Sequence, residues 1–199
     1  MPVMIRPFAR AALALLLCAP LAPSVSAKEA KGKPAASSKS DAKKSDAAPK
    51  STQVGSYGEW GAFTAQGKGK TCYALAKPKE RAPATLKRDD AYIFISNRPT
   101  ENVRNEVSVI MGFAMTDAKT TSAKSEPRAE IGSNTFDLVA KGSNAWLKNP
   151  AEEGRFIEAL KRGQKLVVRA ASLKGNALTD TYSLSGVGDA LARINKECP

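Results

Sequence analysis

The closing stretch of the chain, residues 178–198 (LTDTYSLSGVGDALARINKEC), constrains the fold more than any other. Thr179, Thr181 and Ser183 alternate with Leu178, Tyr182 and Leu184, the period of a half-buried strand. The strand runs straight into a helix on which Val187, Leu191, Ile194 and Cys198 stand at i, i+4, i+7 and i+11, one stripe down one face. Cys198 therefore sits on the packing side of the last helix, where it can meet a cysteine carried by a strand. Cys72 lies in such a strand, TCYALA.

The start of the chain decides whether those two cysteines can be joined. Arg6 and Arg10 precede an apolar run at residues 11–17, and Val25-Ser26-Ala27 is a small-residue cleavage pattern. This predicts a secretory signal peptide cut between Ala27 and Lys28. The apolar run is too short to span a bilayer, so no transmembrane segment is expected after cleavage; an uncleaved anchor is the alternative. Cys18 invites lipidation, but Leu17 before it is not the small residue such a site wants, and cleavage after Ala27 removes it. The mature chain then keeps Cys72 and Cys198, which permit one intramolecular pairing. Outside the cytosol a disulfide is favoured over two buried free thiols. A loop closing nearly the whole domain is worth about 4–5 kcal/mol in the chain-entropy picture.

The formal charge is +12. Losing Arg6 and Arg10 leaves +10, of which residues 28–55 carry +4 (seven lysines against Glu29, Asp41 and Asp46) and the remainder +6. Residues 28–55 are Lys, Ala, Ser and Pro with Val54 the one branched aliphatic, so nothing there builds a core and a disordered linker is predicted. Its charge suits weak contact with anionic lipid or polysaccharide, or a plain solvated spacer; nucleic acid is not the expected partner. The chain has no histidine. That removes Ser-His and Cys-His nucleophile activation and histidine metal sites, and no cofactor or metal is expected.

Strand signals recur from residue 59 onward: 59–65, 71–76, 91–96, 105–115, 128–131, 135–140, 144–147, 165–172 and the closing strand. Residues 77–90 and 116–127 lie between them as polar loops. In the 105–115 segment Val107, Val109, Met111 and Phe113 share one side, while Ile110 leaves the other incompletely polar, as in a central strand or one facing a partner layer. Asn149, Pro150, Glu152 and Glu153 form a helix start, Phe156, Ile157 and Leu160 its apolar face, and Gly163 its C′ residue. About eight strands with two short helices predict a mainly β domain, a two-sheet sandwich or open barrel. The chain thus divides into a signal peptide (1–27), the linker (28–55) and a β domain (56–199).

No motif in that domain carries chemistry strongly. Gly69-Lys70-Thr71 lacks the earlier glycine of a phosphate loop, since Thr64 stands there. Asp89-Asp90 and Glu152-Glu153 imitate a carboxylate pair, but the second pair sits at a helix start, where the dipole favours acids anyway. Arg98, Arg104 and Glu106, between two strands, are the candidate binding surface, with a cross-strand ion pair as the plainer explanation. Trp60, Trp146 and Tyr182 are expected as core anchors rather than as stacking platforms.

Taken in order, EW, TCYALAKP, YIFISNRP, NEVSVIMGF, AW, GRFIEALKRGQKLVV and TDTYSLSGVGDALARINKEC resemble the invasion-associated locus B family, exported proteins of alphaproteobacteria. The resemblance covers residues 57–198 and rests on the ordered set, each motif being short. It implies an immunoglobulin-like β-sandwich in the periplasm, at the outer surface or secreted, with a link to host association in pathogenic members. It brings no catalytic residues. Many members place a further cysteine soon after the early tryptophan; here Thr64 occupies that region, leaving Cys72 for Cys198. The expected function is a non-enzymatic envelope or cell-surface binding protein of unknown ligand. An envelope enzyme acting on cell-wall polymer through carboxylates, or a structural subunit of an envelope assembly, are the alternatives.

Overall fold

The computed structural model describes residues 50–115 and 126–199. The expected signal peptide with its cleavage site at Ala27 and Lys28, Cys18, most of the linker and most of the 116–127 loop lie outside them. The described chain forms eleven strands and two helices: β1 (Ser51–Tyr57), β2 (Trp60–Gln66), β3 (Lys70–Ala76), β4 (Glu80–Ala82), β5 (Tyr92–Arg98), β6 (Val103–Ile110), β7 (Arg128–Ile131), β8 (Asn134–Lys141), β9 (Asn144–Leu147), α1 (Glu153–Arg162), β10 (Lys165–Ala171), β11 (Ala177–Ser183) and α2 (Val187–Glu197). The mainly β, sandwich-like architecture with two short helices is the one expected.

All strand pairs are antiparallel, in the order β1-β2-β3-β5-β6-β9-β8-β7-β10-β11-β4. One strand joins the two halves. The first part of β8, Asn134 to Asp137, pairs with β7, and the second, Leu138 to Lys141, pairs with β9. A strand shared in this way lets a single sheet fold over on itself. The far end then returns to the start: the Trp60 indole donates to the Ser183 carbonyl (3.0 Å), and the Glu59 amide to the Ser185 carbonyl (3.1 Å). Gly58 (φ +56°) and Gly186 (φ +87°) make this approach possible. A Cβ on Gly58 would lie 2.5 Å from the Ser185 carbonyl oxygen, and one on Gly186 would overlap the Tyr57 carbonyl.

Alternation along each strand aims one set of side chains at a shared core. Ala62, Cys72, Ile93, Ile95, Val107 and Val109 come from one half, and Phe136, Leu138, Leu166, Val168 and Tyr182 from the other. α1 adds Phe156, whose ring meets Phe136 edge-on with centroids 4.9 Å apart. The expected helix start at Asn149 and Pro150 forms a 3-10 turn (Pro150–Glu152) that leads into α1. The Asn149 side chain accepts from the Ala151 amide (3.1 Å) to cap that turn, and α1 itself begins at Glu153 without a side-chain cap. Gly163 departs from the usual left-handed helix stop: it is extended (φ −80°, ψ 168°), and a Cβ there would crowd the ends of the Ile131 and Leu184 side chains.

Three strands correct the sequence expectations. β6 runs from Val103 to Ile110, so residues 111–115 of the expected 105–115 strand fall outside it, where the chain turns at Gly112 (φ +70°). β1 begins at Ser51, so residues 51–55 belong to the domain and not to the linker. As an edge strand it is held by backbone pairing to β2, broken by a bulge between Gln53 and Gly55, and its polar residues leave no alternation to detect. β4 lies within the expected 77–90 loop. It pairs with β11 over three residues, too few for a periodic signal.

Candidate binding face

Cys72 and Cys198 are joined, with Cα atoms 5.9 Å apart across 126 residues of sequence. Both are buried, and Val187, Leu191 and Ile194 are buried with Cys198, as the stripe predicted. Two further contacts fasten the same end of α2. Lys70 Nζ donates to the Glu197 carbonyl (2.6 Å) and approaches its carboxylate (3.2 Å), and Asn97 Nδ2 donates to Asn195 Oδ1 (2.8 Å). The helix therefore closes the inner side of β2, β3 and β5 and stiffens the sheet from behind.

The outer side of this half is not a polar surface. Facing outward are Phe63 on β2, Tyr73 and Leu75 on β3, Tyr92 and Phe94 on β5, Ile110 on β6 and Trp146 on β9, each half-buried. Register aligns them: Phe63 opposes Tyr73, Leu75 opposes Phe94, Tyr92 opposes Ile110, and Trp146 lies between Ser108 and Val139. Phe63 and Tyr73 stack (centroids 5.2 Å, planes 11° apart). Tyr73 with Phe94 (5.8 Å) and Phe94 with Tyr92 (5.9 Å) are tilted by 52° and 49°. Such mutual tilting makes a textured aromatic surface rather than a flat ribbon. Where Gly61 interrupts the side chains, a groove of about 420 Å³ opens, bounded by Gln53, Phe63, Leu75, Lys77 and Lys79.

Polar groups rim the face in pairs. Lys77 Nζ lies 3.2 Å from Asp90 Oδ2 and 5.2 Å from the Tyr92 ring centre, and the Tyr92 hydroxyl donates to the same Asp90 oxygen (2.8 Å). The hydrogen bond from Tyr92, followed by that from Lys77, holds the Asp90 carboxyl below its ordinary value. At the other end lies the predicted surface. Arg98 forks onto Glu106 (Nη1 to Oε2 2.8 Å, Nη2 to Oε1 3.1 Å), and its Nε donates to Glu101 (2.8 Å). The Arg98 guanidinium is pushed up, chiefly by Glu106. Ser96 opposes Glu106 and Tyr73 opposes Ser96, so this ion pair continues the aromatic face. Arg104 is exposed on β6. Glu153 feels the Glu106 charge; its carboxyl is pushed up first by burial and then by that charge.

Trp60 and Tyr182 are core anchors as expected, whereas Trp146 is not: it stands half-buried on the outer face. Sequence reasoning also missed a buried ionic cluster. Asp180 is fully buried, with Arg88 Nη1 at 2.8 Å and Arg81 Nε at 3.5 Å. Arg81 also donates to the carbonyls of Asp89 (2.9 Å) and Met111 (3.0 Å). Burial raises the Asp180 carboxyl more than the two arginines lower it. An aspartate at an apolar phase of a strand, between Leu178 and Tyr182, was the signal. The cluster pins β4 and the segment after it to β11, a structural clip set apart from the outer face. Among the described residues no group of three His, Cys, Asp or Glu side chains converges to hold a metal, and no helix is long and apolar enough to cross a membrane. No family model, curated protein or solved structure matches the chain.

Proposed function

We propose that the chain is an exported, non-enzymatic binding protein of the envelope or cell surface, and that the outer face of β2, β3, β5, β6 and β9 is its binding surface. The observation that carries this is the row of Phe63, Tyr73, Leu75, Tyr92, Phe94, Ile110 and Trp146 on a side where a solvated antiparallel sheet carries polar residues. Aromatic side chains beside paired charges are the usual make-up of a recognition surface. The disulfide keeps such a surface rigid before binding, which lowers the ordering cost of association.

The resemblance to the invasion-associated locus B family supports the same reading and adds a contribution to host-cell association or invasion. Its motifs fall on the elements that build this face: TCYALA on β3, YIFISNR on β5, NEVSVI on β6 and AW on β9. The location in this reading is the periplasm or outer surface, with the basic linker adding weak attraction to anionic lipid or polysaccharide. The test is photo-crosslinking from the position of Ser108, in the middle of the face, in the native envelope. Adducts that form, and that vanish with Trp146→Ala or Tyr73→Ala, are expected; adducts indifferent to both substitutions end the reading.

One observation favours a second reading. Glu153, raised by burial beside Glu106, is the type of carboxyl an envelope hydrolase uses as its acid. Against it, Glu106 is fully engaged by Arg98. Release of soluble fragments from purified cell-wall polymer, lost with Glu153→Gln, would move the assignment to the enzyme.

A further inference from the structure

We propose that the tip of the β10–β11 hairpin, with the surface beside it, docks on an anionic phospholipid bilayer. Leu173 is 66% exposed, more than any other large apolar side chain among the described residues. It is not a loose tip. The Gly175 amide donates to the Ser172 carbonyl (2.8 Å), the Ser172 amide to the Asn176 carbonyl (3.0 Å), and the Leu173 amide to the Ala114 carbonyl (3.2 Å). The Ser172 hydroxyl also accepts from the Asn176 amide (3.2 Å). The turn thus holds Leu173 in water at no further ordering cost to a partner.

Beside it lies a shallow pocket of about 300 Å³ whose apolar wall is Leu86, Phe113 and Leu173. Its charged lining residues are Lys87, Arg88 and Lys174, with no carboxylate among those described. Arg88 is already committed to Asp180, so Lys87 and Lys174 are the cations left facing outward. An aliphatic tip between two lysines matches a bilayer surface, with acyl chains for the leucine and headgroup phosphates for the amines. A soluble anion would use the lysines and leave Leu173 wet. A stable partner subunit needs roughly 800 Å² from each side, more than one leucine beside a shallow pocket supplies. The patch is centred on the β10–β11 hairpin and reaches residues 86–88 and 113–114, none of which belongs to the aromatic row, so it acts independently of that face.

The test is flotation of the full exported chain, linker included, with phosphatidylcholine vesicles with and without phosphatidylglycerol. Partitioning onto the anionic vesicles is expected to fall roughly tenfold with Leu173→Asp and about fivefold with Lys174→Ala. An unchanged thermal midpoint shows that the variants remain folded. Leu173→Trp should bind more tightly and show a blue-shifted emission component only with anionic vesicles. Equal partitioning of Leu173→Asp and the parent chain would assign all membrane contact to the linker lysines and overturn the proposal. Binding that ignores phosphatidylglycerol would also overturn it, as would a dimer in the parent chain that Leu173→Asp dissociates. Crosslinks from Ser108 report on the aromatic face alone, so either proposal can fail without the other.

Discussion

The two outer surfaces of this sheet are built on one core yet differ in kind. Over β7, β10 and β11 the outward side chains are Arg128, Glu130, Val167, Arg169, Thr179 and Thr181, and the charges answer one another across strands. Arg128 Nε donates to Glu130 (2.9 Å), Arg169 Nε to both oxygens of Glu130 (3.1 Å each), and Arg169 Nη1 to Thr179 (3.2 Å). That is how an antiparallel sheet meets water. Over β2, β3, β5, β6 and β9 the same positions carry rings and aliphatic chains. The other half of the sheet carries no such row, and this contrast is the observation on which the proposed binding face rests. The two halves are also fastened differently, and that difference can be broken experimentally.

The largest effect is expected at the sulfur link. Cys72 lies behind the aromatic face, flanked in register by Thr64 and Asn97, and closes a loop of 126 residues. The double substitution Cys72→Ser, Cys198→Ser should cost about 4–5 kcal/mol in urea unfolding. Hydrogen exchange should rise first in β3, β5 and α2 while β7 and β10 stay protected. Uniform loosening would mean the halves do not differ in how they are held.

Next comes the clip. Asp180→Ala leaves Arg88 buried without its anion, and removing one member of a buried pair costs about 3–5 kcal/mol. The loss should appear in the unfolding free energy, with β4 opening first. A change under about 1 kcal/mol would show that the arginines recover water, and that β4 is held by its pairing with β11 alone.

Smaller still are the effects on the two surfaces themselves, and here function separates from stability. Tyr73→Ala gives up two ring contacts, each worth about 0.5–1.5 kcal/mol beyond area, and should abolish crosslinked adducts. Arg169→Ala should cost under about 1 kcal/mol, as for a partly exposed ion pair, and leave adducts intact. Adduct loss from Arg169→Ala would collapse the functional distinction between the faces.

Sequence periodicity carried most of the fold because most strands have one clean apolar phase. The Cys198 stripe was legible for that reason. What escaped was held by partners distant in sequence. β1 is polar and gains its order from β2, and β4 pairs with a strand about a hundred residues away. The sequence predicts Trp146 in the core because aromatic residues bury well on average; only the register, which sets it outward between Ser108 and Val139, reveals its side. The same holds for the whole aromatic face, since Phe63, Tyr73, Phe94 and Trp146 come from four strands that share one side only after folding. Arg98 and Glu106 were legible as a pair because a single tight connection separates them.

The smallest expected effect distinguishes the faces by its sign. Glu130, on the charged side, is held below its ordinary value of 4.5, first by the hydrogen bond from Arg128 and then, against burial, by Arg169. Its stabilisation is present above 4.5 and is lost as the pH falls through the lowered folded value. Glu153, beside Glu106 at the end of the aromatic face, is raised by burial and by the Glu106 charge. Its contribution is present below 4.5 and is lost as the pH rises through the raised folded value. Glu130→Gln should therefore lower stability at neutral pH and flatten the acid limb of the stability curve. Glu153→Gln should raise stability at neutral pH and flatten the curve above 4.5, each by under about 1 kcal/mol. Thermal midpoints of the two variants followed from acid to neutral pH should diverge from the parent in opposite directions. Parallel shifts would mean that Glu153 is compensated as fully as Glu130, removing this electrostatic contrast between the two ends of the sheet.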